Sequence, residues 1–301
     1  MTCESSRVAD LSLTVARRLK SAVRVASNYV SARASPGGGF CFYRGHYLEE
    51  PNLSDTWHGV SAWKLLTSEP LPDQANHADF VISQAVESQA FALYHRVRCL
   101  QLLEAGDPDA LKVRDAAAAL PLILPRTDTV TLQASLHALF YSLWLRRHLG
   151  VATERDRDLG RALHGHQNPD GGYGRPSNLR DTVEALRVLQ VCDRPLQTKT
   201  AVFVQHMAVP GSGFRLTATS MSPCLETTCA GMACSADLGI EVEYASDAIR
   251  FILACQCGNG GFAFRPGGLP DLAWTHLALE TLHRRLQVPT LIESVVAIEE
   301  K

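Results

Sequence analysis

The chain has 301 residues, of which 46% are hydrophobic, with a net charge of −2 and a sequence pI near 6.6. That is enough apolar material for a sizeable core, and the lack of a basic excess excludes a general affinity for nucleic acid or anionic membrane, which needs a concentrated positive field. No apolar run reaches the roughly 18 residues of a membrane span, the N-terminal residues lack a secretory layout and the nine cysteines are scattered, so a cytoplasmic protein with reduced thiols is expected.

In chain order, the helical stretch LSLTVARRLKSAVRVASNYV (11–30) runs into the glycine loop PGGGF, which ends at Phe40. Asp55-Thr56 then starts a helix through GVSAW (59–63), and Glu87-Ser88 starts another. After ALKVRDAAAALPLIL (110–124), Asp128-Thr129 precedes ASLHALFYSLWLRRHLG (134–150). ERDRDLGRALHGHQ (154–167) leads to DGGY at Tyr173, and Asp181-Thr182 precedes VEALRVLQ (183–190). KTAVFVQHMAV (199–209) leads to GSGF at Phe214, and Glu226-Thr227 precedes CAGMACSA (229–236). EVEYASDAIRFILACQ (241–256) leads to NGGF at Phe262, Asp271 precedes AWTHLALETLHRRL (273–286), and LIESVVAIEEK (291–301) follows.

These segments repeat at roughly 40 to 50 residues, each unit being two antiparallel helices joined by a Gly-Pro loop. One such hairpin cannot bury its apolar face alone, so the units must stack. The second helix of each unit is poor in charge at mid-length, which predicts cover on most sides. The expected fold is therefore all-α: a single α/α toroid of about six helical hairpins, forming one domain over residues 1–301.

The repeated loop has a local logic. Glycines permit positive φ and close backbone approach, proline stops the preceding helix, and an acid with Thr or Ser caps the next one. In a closed ring Asp55, Glu87, Asp128, Asp181, Glu226 and Asp271 would share one rim. Burial or like-charge crowding would raise a carboxyl pKa there, which marks Asp271, Asp55 and Asp181 as candidate acids or metal ligands. Trp57, Trp63, Tyr141, Trp144 and Trp274 fall on inner-type helices and are candidate cavity walls. Arg44, Arg175, Arg215 and Arg265 follow the glycine loops and are candidate clamps at the mouth.

GGFAFRPGGLPDLAWTHLAL (260–279) resembles the repeat of protein prenyltransferase β subunits and, more distantly, that of squalene-hopene-type terpene cyclases. The prenyltransferase motif Arg-x-x-Lys-Leu-x-Asp-x-Cys-Tyr holds diphosphate through its Arg and Lys and zinc through its Asp and Cys. RPGGLPDLAW keeps Arg265, Leu269 and Asp271 but has Gly268, Ala273 and Trp274 at the Lys, Cys and Tyr. DTWHG resembles the context of the family's zinc histidine, which marks His58, and ring closure would carry it toward Asp271. The resemblance leaves the cofactor open between none, Zn²⁺ and Mg²⁺, with Asp271, His58 and His276 as candidate ligands. Cysteines 224, 229 and 234 read as packing residues. The Asp-x-Asp-Asp acid of the squalene-cyclase branch is missing, and Asp107-Pro108-Asp109 reads as a surface turn.

The expected function is prenyl transfer from an isoprenoid diphosphate to an acceptor other than a CaaX protein. Asp271, Asp55, His58 and Asp181 would do the chemistry, and Arg265, Arg175, Arg215, Trp274, Trp57 and Trp144 would hold substrate. A small terpene cyclase using one rim carboxylate and a non-catalytic toroid binding lipid or protein are the alternatives. A homodimer and a separate partner subunit both stay open.

Overall fold

The computed structural model describes residues 13–44, 48–125, 132–195, 198–286 and 291. Asp128 and the segment 292–301 lie outside the described residues. Among the described residues, twelve helices and four short strands follow one another. The odd helices are α1 (Leu13–Ser31), α3 (Gln74–Ser83), α5 (Ala110–Ala119), α7 (Glu154–His164), α9 (Thr198–Met207) and α11 (Ala245–Ala254). The even ones are α2 (Leu53–Leu66), α4 (Ala90–Leu102), α6 (Leu132–His148), α8 (Leu179–Val191), α10 (Leu225–Asp237) and α12 (Leu272–Leu286).

Each even helix packs on the next even helix, and α12 packs back on α2, so the inner ring closes. The odd helices α1, α3, α5, α7 and α9 pack outside the even helix that follows each, and α11 packs on α10 and α1. The expected α/α toroid is what the chain forms. Apolar side chains fill the space between the rings, among them Val30, Leu66, Leu143, Leu186 and Leu282, each no more than 2% exposed.

The repeated corner explains why the chain folds this way. Asn52 caps α2 by accepting the Asp55 N–H at 2.9 Å, and its Nδ2 donates to Asp55 Oδ2 at 2.5 Å. Asn178 and Asp181 repeat the arrangement at α8 with the same distances. Thr56 Oγ1 donates to Asn52 O at 2.6 Å and accepts the buried Phe40 N–H at 3.0 Å. Thr182 does the same for Tyr173, and Thr275 for Phe262, again at 3.0 Å; Thr228 accepts the Phe214 N–H at 3.3 Å. Without the threonine each buried N–H would be orphaned, at a cost of about 1–3 kcal/mol. Phe40, Tyr173, Phe214 and Phe262 are themselves fully buried, and Phe40 and Phe214 lie so close to Gly59 and Gly231 that a Cβ there would overlap the ring.

The same corners correct two expectations of register. The corner threonine of α10 is Thr228, not Thr227, and Asp271 occupies the capping place of Asn52 rather than the place of Asp55. Two short antiparallel ribbons, β1 (Phe40–Arg44) with β2 (Glu49–Asn52) and β3 (Phe262–Ala263) with β4 (Pro270–Asp271), lead into α2 and α12.

Glycine is required where one unit meets the next. Gly171 and Gly260 have φ of +91° and +95°, and a Cβ on either would collide with the carbonyl of Lys199 or Val25 on the adjoining outer helix. The second contact closes the outer ring, reinforced by Gln256 Nε2 donating to Ala22 O at 2.7 Å. Asp107, expected in a plain surface turn, instead receives Arg96 through two bonds, at 2.7 and 2.8 Å. Arg96 is 1% exposed, so this pair is structural and anchors the loop after α4.

Candidate active site

The inner ring encloses a cavity of about 290 Å³. The corner threonines set the phase of its walls, because the helical period turns a constant offset from each of them inward. The two residues after Thr56 are Trp57 and His58, those after Thr182 are Val183 and Glu184, and those after Thr275 are His276 and Leu277; all line the cavity. Cys229 and Ala230, after Thr228, do the same.

One wall is aromatic. Trp57 lies 4.9 Å from His95, Phe91 meets His95 edge-on at 4.2 Å, and Tyr141 lies 5.8 Å from it, all between ring centroids. His58 and His276 meet where the ring closes, with their Nδ1 atoms 3.1 Å apart. Burial holds His58, His137 and His276 below the ordinary imidazole range and takes His95 down to about 3, so all four are neutral at physiological pH. Both ring nitrogens of His95, and Trp57 Nε1, are buried without a hydrogen-bond partner in the protein.

The opposite wall is charged. Arg180 pairs with Glu226, which also accepts from Gln133 Nε2 at 3.2 Å. Arg187 pairs with Glu184 at 3.1 Å, and Arg284 with Glu280 at 3.0 Å and Asp237 at 3.4 Å. Burial works against the charge on Arg187, but Glu184 and Glu280 outweigh it and keep the guanidinium protonated. Three guanidiniums therefore face four carboxylates along the lining. Glu184 is buried, its Oε1 holds Arg187, and its Oε2 has no partner in the protein.

Of the residues expected from the sequence, His58, His276, Trp57, Trp274 and Tyr141 line this cavity. Asp55, Asp181 and Asp271 do not: Asp55 and Asp181 are held by the capping residues Asn52 and Asn178, and Asp271 is itself the cap of α12. Burial raises the pKa of all three, and at Asp271 the nearby Asp55 adds to the rise. Arg175 and Arg265 are exposed, Arg215 donates to His206 O at 2.8 Å, and Arg44 pairs with Glu49 at 3.6 Å, so the expected clamp does not form at the cavity. Trp144 stacks on His148 at 4.6 Å outside the lining, and Trp63 donates to Glu69 O at 3.0 Å. Ring closure brings His58 to His276 and Asp55 near Asp271. Among the expected rim acids that are described, Glu226 alone lines the cavity, since the true corner is one residue later than Thr227, while Glu87 is exposed.

The donor set does not fit the metal that the resemblance implies. Asp271 accepts the Trp274 N–H at 2.7 Å as a cap, Ala273 stands where the thiolate would be, and His58 Nδ1 is engaged by His276. A catalytic zinc needs three protein ligands, and among the described residues no group of three or more His, Cys, Asp or Glu side chains is placed to hold a metal ion. Cysteines 224, 229 and 234 are buried and free. No helix among the described residues is long and apolar enough to cross a membrane.

Several solved structures share the fold. A Candida albicans protein geranylgeranyltransferase-I, complexed with GGPP, is 14% identical, with a TM-score of 0.57 over 77% of this chain and 83% of that one. A type II terpene cyclase from Scytonema in complex with geranylgeranyl dihydroxybenzoate is 10% identical, with a TM-score of 0.58 over 95% of this chain and 99% of that one. A glycosidase in complex with glucose is 13% identical, with a TM-score of 0.57 over 92% and 99%. At such identities the likeness is one of fold, and no curated protein sequence matches the chain. Residues 120–285, more than half of the chain, match the prenyltransferase alpha-alpha toroid domain, and the protein belongs to that family.

Proposed function

We propose that this protein is an isoprenoid cyclase that binds a prenyl chain in the central cavity and starts ring closure by protonating it. The observation that carries this reading is the charge balance of the lining, three guanidiniums against four carboxylates with every arginine already paired. A diphosphate needs a net cationic clamp, and this lining offers none. A neutral chain gains roughly 0.8 kcal/mol per buried CH₂ against the apolar and aromatic surface. Trp57, Tyr141 and Trp274 line the cavity, where aromatic rings favour a developing cation.

We assign proton transfer to Glu184, whose Oε2 has no partner in the protein while Arg187 holds Oε1; the carboxylate first takes up from solvent the proton it delivers, which leaves three guanidiniums against three carboxylates in the reacting site. The carboxyl proton adds to the terminal alkene, forming a C–H bond and a tertiary cation; successive π bonds close rings, and a neutral base takes the final proton. His58 and His276, uncharged through burial, are suited to that last step. The reaction is an isomerisation and needs no co-reactant.

The test is incubation of the purified protein with C10 to C30 prenyl alcohols and diphosphates, with products analysed by mass spectrometry. Cyclised isomers of the substrate support this reading. Released pyrophosphate without cyclised product would support the prenyl transfer expected from the sequence, and no product from any chain would favour a binding toroid.

A further inference from the structure

We propose that the ligand of the cavity carries an uncharged oxygen function, a hydroxyl or carbonyl, that docks between His95 and Trp57. The inference rests on the isoprenoid reading above and adds which end group that chain bears.

His95 is 1% exposed, on α4, and both its Nδ1 and Nε2 lack a partner in the protein. Trp57 Nε1, on the neighbouring α2, is buried and likewise unpartnered, and the two rings lie 4.9 Å apart on the same cavity wall. A neutral imidazole offers one donor and one acceptor, and the indole offers one donor. Leaving such groups unmatched is costly, about 1–3 kcal/mol each, so a residue kept for packing alone would be better served by phenylalanine. Phe91 and Tyr141 already flank the imidazole, and the site does not need its nitrogens for shape.

The missing partner must accept from two N–H groups and donate to one nitrogen. A hydroxyl does both, and a carbonyl oxygen satisfies the two donors. A diphosphate suits the place poorly, because neither ring carries charge and the His58 imidazole, 6.3 Å from His95, is also neutral. The cavity arginines sit on α8 and α12, paired with carboxylates.

The test is a binding titration that needs no turnover, following tryptophan fluorescence with geranylgeraniol, the hydrocarbon of the same skeleton and geranylgeranyl diphosphate. The alcohol is expected to bind about tenfold more tightly than the hydrocarbon, as one to two hydrogen bonds would give, and more tightly than the diphosphate. His95→Phe should reduce the preference over the hydrocarbon, since Trp57 Nε1 alone then remains to donate. Equal affinity of alcohol and hydrocarbon in the native protein, or a preference undiminished in His95→Phe, would overturn the inference; the first outcome means that water serves these nitrogens. Should the variant not fold, ¹⁵N ring shifts of His95 in the native protein decide: they move with the alcohol and not with the hydrocarbon. Failure of every chain to bind would remove the isoprenoid reading and this inference with it. Hydrocarbon binding without discrimination would remove only the inference.

Discussion

His58 on the first inner helix and His276 on the last meet nitrogen to nitrogen at 3.1 Å, and this contact marks where the ring closes. Both are neutral, so one Nδ1 donates and the other accepts, which fixes opposite tautomers on the two rings. Replacing either with leucine strands the other's buried nitrogen, at an expected cost of about 1–3 kcal/mol. The double replacement should cost less than the sum. A double-mutant cycle by chemical denaturation checks this, and strict additivity would mean that the hydrogen bond contributes nothing.

The four corner threonines give a prediction that compares repeats. Thr56→Val, Thr182→Val and Thr275→Val each orphan a buried aromatic N–H and are expected to destabilise by about 1–3 kcal/mol. Thr228→Val should cost less, since its bond to Phe214 is longer at 3.3 Å. Denaturation midpoints of the four variants measure the ranking, and an unaffected Thr275→Val would contradict the account of the corner.

Much of this was legible in the sequence. The spacing of Gly-Gly-aromatic loops and of acid-Thr pairs predicted helix pairs closing into a ring, placement on inner-type helices marked Trp57 and Trp274 as wall residues, and the resemblance of DTWHG marked His58. Arg180, Glu184, Arg187 and Glu280 were missed, because charged residues at helical spacing read as a solvated face. A usable signal was present: the threonines after Asn52 and Asn178 set the helix phase, and counting forward from them reaches Trp57, His58 and Glu184. Reading Thr227 in place of Thr228 shifted that phase by about 100° on α10 alone. Asp55, Asp181 and Asp271 drew attention as acids because they stand at the helix start, where Asp271 caps α12 and Asp55 and Asp181 accept from the capping asparagines.

Buried neutral histidines make the fold sensitive to mild acid. His95 sits at about 3 in the folded protein, against an ordinary value near 6.5. The unfolded chain therefore takes up a proton that the folded one refuses, and stability present at neutral pH is lost as pH falls from about 6.5 toward about 3. His58, His137 and His276 act in the same direction. Asp55, Asp181 and Asp271, with raised values, oppose the loss only as pH falls into the carboxylate range. From about pH 7 to about pH 5 the unfolding free energy should fall, and His95→Phe should remove about 2 kcal/mol of that fall. An unchanged pH slope in the variant would show that His95 is not held neutral.

The Arg96–Asp107 pair anchors the loop after α4, and Asp107→Ala would leave a guanidinium that is 1% exposed without its carboxylate. A loss of about 3–5 kcal/mol is expected. Replacing both residues by apolar ones, as in Arg96→Met with Asp107→Leu, should restore only part of it, because the Val81 and Gln84 carbonyls then lose the Arg96 Nη1 bonds at 3.0 and 2.8 Å. Thermal denaturation of the single and double variants checks both statements.

The central claim, that Glu184 protonates an isoprenoid chain inside the ring, is tested most directly by turnover in D₂O with mass spectrometry of the product. The account predicts a cyclised isomer carrying one deuterium, formed about 10²–10⁴-fold more slowly by Glu184→Gln. A cyclised product without deuterium, or full activity in Glu184→Gln, would contradict it.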